Sequence, residues 1–73
     1  MSTSRADFLR HVARVADRTN LPECAVIAAM VDRVTQHASM SPDPAQTAHL
    51  DQVASAMSRE IGPALERDAR RGR

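Results

Sequence analysis

The prolines of this 73-residue chain stand at 22, 42, 44 and 63, and between them the large apolar residues recur at helical spacing. Proline lacks the backbone N–H and clashes with the carbonyl four residues earlier, so each one ends a helix or sits in the first turn of a new one. Short helices joined by tight corners are what this punctuation leaves. In the first stretch, Ser4 with Asp7 three residues on is a carboxylate variant of the capping box and starts a helix near Arg5. Phe8, Leu9, Val12, Val15 and Ala16 share one face of it; Asp7, Arg10, Arg14, Asp17 and Arg18 share the other. Asn20 suits the left-handed C-cap that follows, and Pro22 the first turn of the next helix.

That next helix contains the run CAVIAAMV, eight apolar residues from Cys24 to Val31. Wound as a helix, the run divides. Val26, Ile27, Met30, Val31 and Val34 form a bulky stripe, while Ala25, Ala28 and Ala29 lie opposite with Asp32, Thr35 and Gln36. Pro42 and Pro44 stop it; Asp43 is a good N-cap, Pro44 fits the first helical position and Gln46 stands where a capping box places its third member. A third helix carries Leu50, Val53, Ala54, Met57 and Ile61 to the Gly62-Pro63 break, and Leu65 lies in a short segment beyond. The expected fold is an all-α, compact three-helix bundle, about 5–19, 22–38 and 44–61, with a short fourth helix or a frayed Arg-rich tail over 63–71. One small domain spans 1–73, with 1–3 and 71–73 expected to be disordered. Thirteen Ala, four Met, one aromatic and two Gly agree with a helical class.

Ten Arg, no Lys and nine acids leave a net charge of +1, which exerts no overall pull on nucleic acid or an anionic membrane. The single Cys and the polar start MSTSRADFLR point to a cytoplasmic protein without a secretory signal, and no apolar run approaches the ~20 residues that cross a bilayer.

The segment from Val12 to Val31 has helix-turn-helix spacing, with Ala16, Asn20 at the turn, Leu21 and Val26. Its recognition positions hold Pro22, Glu23, Cys24, Ile27, Ala28 and Val31, an acidic and apolar set unable to make bidentate contacts with base edges. Arg10, Arg14 and Arg18 form a row four apart on the first helix, partly neutralised by Asp7 and Asp17. Arg67, Arg70, Arg71 and Arg73 make a basic tail interrupted by Glu66 and Asp68, without Tyr or Trp to stack on bases, and read as a disordered solubilising end. His11, His37 and His49 are never three or four apart, so no metal site or metal cofactor is expected. Cys24 reads as a packing residue, with a thiolate favoured by the helix dipole as the alternative. Without a nucleophile motif or Gly-rich loop the chain reads as a non-enzyme. SPDPAQTAHLDQ resembles the turn and second-helix start of type III secretion needle subunits, helical hairpins built around a Pro-Asp/Asn-Pro turn. The likeness covers about a dozen residues of general N-cap chemistry and implies the hairpin alone.

The leading expectation is a small regulatory or adaptor module that binds a larger protein complex through a helical face, of the kind found as phage- or mobile-element-type modulators of transcription or defence machinery. Its candidate partner-binding residues are Arg10, Arg14, Arg18, Ala25, Ala28, Ala29 and Asp32, with the tail arginines as electrostatic candidates. The alternatives are a nucleic-acid-binding regulator using the Arg row and tail, and a homodimer paired through the alanine face.

Overall fold

The structure, a computed structural model, describes residues 4–72. Among them are four helical segments and no strand: α1 Arg5–Thr19, α2 Glu23–Met40, α3 Pro44–Ser58 and α4 Ile61–Arg71. The Ser4 hydroxyl accepts the Asp7 N–H at 3.1 Å, as the first half of a capping box does, while the Asp7 carboxylate turns to Arg10. Asn20 ends α1 in the left-handed conformation (φ 58°, ψ 34°) and donates its N–H to the Ala16 carbonyl. Leu21 N–H bonds the same carbonyl at 3.1 Å, which turns the chain sharply into α2.

At the second corner Asp43 caps α3 through Ala45 N–H at 3.0 Å, with Pro44 at the start. Gln46 does not complete a capping box there: its side-chain carbonyl takes the Ser41 hydroxyl instead, at 3.1 Å, and Ser41 Oγ accepts the Asp43 N–H. The third helix ends at Ser58, three residues short of the expected 61. Pro63 explains the shift. With no N–H to give the Arg59 carbonyl it belongs in a first turn, so the bend falls upstream, at Arg59 and Glu60, which keep right-handed helical geometry. α3 and α4 are thus joined and bent rather than separated.

α2 is the axis of the molecule: α1, α3 and α4 all pack against it. The core gathers Val12 and Ala16 of α1, Val26 and Ile27 of α2 and Ala64 of α4, with Phe8, Val15, Cys24, Met30, Val31, Met57 and Ile61 packed around them. Leu50 and Val53, on the apolar stripe of the third helix, are half-buried and lie outside this cluster. α3 has no fully buried residue. The bundle is consequently drawn out, 42 × 23 × 21 Å with a radius of gyration of 13.2 Å, against about 11 Å for a globule of this length. No helix among the described residues is long and apolar enough to cross a membrane.

Residues 1–3 and 73 of the expected disordered ends lie outside the described residues. Arg71 and Gly72 do not: Arg71 is the last residue of α4, and Gly72 caps it at φ 75°.

Candidate functional site

α2 opens without a cap of its own. Pro22 occupies the N-cap position and has no side-chain acceptor, so the first N–H groups of the helix need an oxygen from elsewhere. Asp68, 45 residues away on α4, supplies it. Its two carboxylate oxygens accept the N–H of Glu23 at 2.8 Å and of Cys24 at 3.0 Å. The Ala25 and Val26 N–H groups close back on the Pro22 carbonyl. A carboxylate at a helix N-terminus is also favoured by the helix dipole.

Asp68 is only 3% exposed, and Glu23, whose backbone it caps, is 1% exposed. Both charges are compensated from the same helix. Arg67 donates through Nε and Nη2 to Glu23 Oε1 at 3.2 and 3.1 Å. Arg71 Nη1 lies 2.7 Å from Glu23 Oε2, close enough to pair the charges but off the line of a hydrogen bond. A second tie joins the bend to α1: Arg5 holds Glu60 with both arms, at 2.6 and 3.0 Å. α4 is therefore an ordered helix fixed by named partners, in place of the solubilising end that its composition suggests.

Burial pushes the Asp68 carboxyl up, but the N–H groups of Cys24 and Glu23, the Cys24 thiol and the Arg67 charge outweigh it, and the group is held below its usual range. The Cys24 thiol is raised, first by its hydrogen bond with Asp68 and then by burial. The helix N-terminus, which favours a thiolate where it is open, is here occupied by the Asp68 carboxylate, and Cys24 packs against the core. Glu60 is lowered, chiefly by the Arg5 hydrogen bond, against the opposing effect of burial.

The structure separates the candidate residues into three groups. Arg10, Arg14 and Arg18 are exposed on α1, with Arg10 paired to Asp7. Ala28, Ala29 and Asp32 are exposed on the outward face of α2, and Ala25 at the edge of that face is half-buried. Arg67 and Arg71 leave the tail group to join Glu23, while Arg70 stays exposed with Glu66 4.0 Å away. Arg73 lies outside the described residues. Of the helix-turn-helix recognition positions, Glu23 and Ile27 are buried and the helix start is covered by α4, so that end presents no groove-reading surface.

Among the depressions on the described surface, two stand out. One, lined by Asp51, Gln52, Ser55, Ala56 and Arg59, is the polar outer side of α3. The other is a shallow groove of about 240 Å³ between α1 and α4, with Glu23 at its floor. No group of three or more His, Cys, Asp or Glu gathers as a metal site among the described residues. Compared with models of known protein families, with curated proteins and with solved structures, the chain finds no match.

The Asp68 cap and the buried Glu23 are what sequence reasoning missed. Two signals pointed to them: a helix beginning after Leu-Pro with no acceptor of its own, and an acid at position 68 in line with Ile61 and Ala64 on the inward stripe of the last helix.

Proposed function

We propose that this protein is a non-enzymatic regulatory or adaptor module that binds a protein partner through the outward face of α2. The observation that carries the reading is the exposure of Ala28 and Ala29 within the same run whose Val26 and Ile27 form the core. Small side chains let a second helix approach closely, and a rigid central helix presents them without an ordering cost. Ala25 and Asp32 border the same surface. Engagement of Arg67 and Arg71 with Glu23 supports a protein partner over nucleic acid, since it draws two of the tail's charges inward.

The test is affinity capture with the full chain from the cells that make it, followed by mass spectrometry, run in parallel with Ala28→Arg and Ala29→Arg. Loss of the captured protein from variants of unchanged helix content is the expected result. Capture that survives both substitutions overturns this surface, and a chain that enriches nothing, or only itself as a dimer in sedimentation, overturns the adaptor reading.

A further inference from the structure

We propose that the seat α4 occupies at the start of α2 also accepts α4 of a second copy of this chain, so that two chains exchange their last helices and close into a two-fold dimer. The seat makes two opposite demands. The N–H groups of Glu23 and Cys24 require an acceptor, while the Glu23 carboxylate, buried at the same turn, requires a cation. α4 answers both with adjacent residues, Asp68 to the amides and Arg67 to the carboxylate, and one turn earlier it places Ala64 in the core with Val26 and Ile27. Charges balance within this set, Arg67 and Arg71 against Glu23 and Asp68, so the order of groups along the helix selects the occupant, not net charge. α4 has that order, and every copy of the chain carries one.

Besides the seat, a short bend ties α4 to its own chain. Arg59 (φ −66°, ψ −18°) and Glu60 (φ −86°, ψ −7°) already lie in the right-handed region. Turning their two ψ angles by roughly 25–35° makes α3 and α4 one helix. That helix runs from Pro44 to Arg71 over about 42 Å and carries Asp68 away from its own α2. Pro63 withholds an N–H from the Arg59 carbonyl in either form, so straightening loses no bond there, and a kinked joint suffices. The Arg5–Glu60 salt bridge belongs to the bend and holds it closed.

α4 leaves its seat with less apolar surface than α1 would. Its buried residues are Ala64 and Asp68, Ile61 is half-buried and Leu65 is 53% exposed. α1 instead brings Val12 and Ala16, both inaccessible, with Phe8 and Val15 beside them. Exchange restores between chains the seat contacts it breaks within one, which is why swapping a terminal element is a low-cost route to a dimer. A seat on the same chain meets its α4 at an effective concentration of roughly 1 mM, so the dimer needs chain concentrations of that order. Ala28 and Ala29 take no part in the seat, and the exchange is independent of the α2 face proposed above.

The test refolds the full chain from urea at about 1 mM and at about 10 μM and separates the products by gel filtration. A dimer with the monomer's helix content is expected at the higher concentration, and monomer alone at the lower. In a dimer made from equal parts of ¹³C-labelled and unlabelled chains, the Ala64 methyl should give inter-chain NOEs to the methyls of Val12, Val26 and Ile27. Arg5→Gln, which frees the bend without touching the seat, should raise the dimer fraction at least about twofold. Ala28→Arg should leave that fraction unaltered, so the exchange and the α2 face fail separately. A chain that stays monomeric at the higher concentration overturns the proposal. So does a dimer whose Ala64 NOEs remain within one chain, one that disappears in Ala28→Arg, or one whose fraction Arg5→Gln does not raise.

Discussion

α2 is one continuous helix in two different surroundings. Its first half is enclosed by α1 and α4, with Ile27 inaccessible, Val26 nearly so and a buried acid on each side of the α2/α4 junction. Its second half packs against α3. There Val34, Leu50 and Val53 are half-buried, only Ala38 is fully so, and Met40 is 81% exposed. Thr47 ties the two helices of this hairpin by donating to the Ala38 carbonyl at 3.3 Å. The difference teaches that apolar content does not decide where a helix is held firmly; the number of neighbouring elements does. Val34, Leu50 and Val53 each keep part of their surface in water, where Ile27 keeps none.

This contrast can be broken by substitution. The largest effect belongs to Ile27→Ala, which should cost about 3–4 kcal/mol in a urea titration followed by circular dichroism. A domain of this length is stable by roughly 4–11 kcal/mol, so that variant stands near the edge of folding. Asp68→Ala comes next, at about 2–3 kcal/mol, because it removes the cap and leaves the Glu23 and Cys24 N–H groups buried without acceptors. Hydrogen exchange at those two amides should accelerate more than elsewhere; uniform acceleration would mean that Asp68 acts only through global stability.

Acid sharpens the same comparison. Asp68 and Glu60 are held below their ordinary 3.8 and 4.5 in the folded chain, so the folded state binds fewer protons than the unfolded one. Their contribution is complete above the unfolded values and is lost as pH falls through the folded ones. Denaturation followed from pH 6 to pH 2 should therefore show stability declining below about pH 4.5, with a shallower decline in Asp68→Asn. Val34→Ala should cost about 1 kcal/mol, less than a fully buried site. Met40→Ser should change stability by less than about 0.5 kcal/mol, and a larger loss would show that the hairpin tip is packed.

Much of the fold was legible because its determinants are local. Ser4, Asn20, Asp43 and Pro44 act on residues within five positions, and the bulky stripe of α2 follows from helical period alone. The α3 boundary lies three residues before the expected 61, because the Arg59 carbonyl that Pro63 cannot serve sits at the bend itself, and Gly62 and Pro63 fall in the first turn of α4. The charged junction was hidden for another reason. Glu23, Arg67, Asp68 and Arg71 look like ordinary surface charge in a composition, and only the return of α4 to the start of α2, 44 to 48 positions away, makes them partners. The exposure of Ala28 and Ala29 likewise depended on which side of α2 the neighbours chose.

The distance along the chain between Asp68 and the helix it caps sets an order of events during synthesis. The amides of Glu23 and Cys24 leave the peptidyl-transferase centre 45 and 44 residues ahead of their acceptor. At about 5–20 residues per second that is an interval of roughly 2–9 s in which α2 exists without a completed first turn. During that time Val26 and Ile27 lack the Ala64 surface that later covers them, and the nascent chain can shield them only with α1 and, once it is made, Met57 of α3. The native arrangement is thus reached after translation of the last helix rather than alongside it.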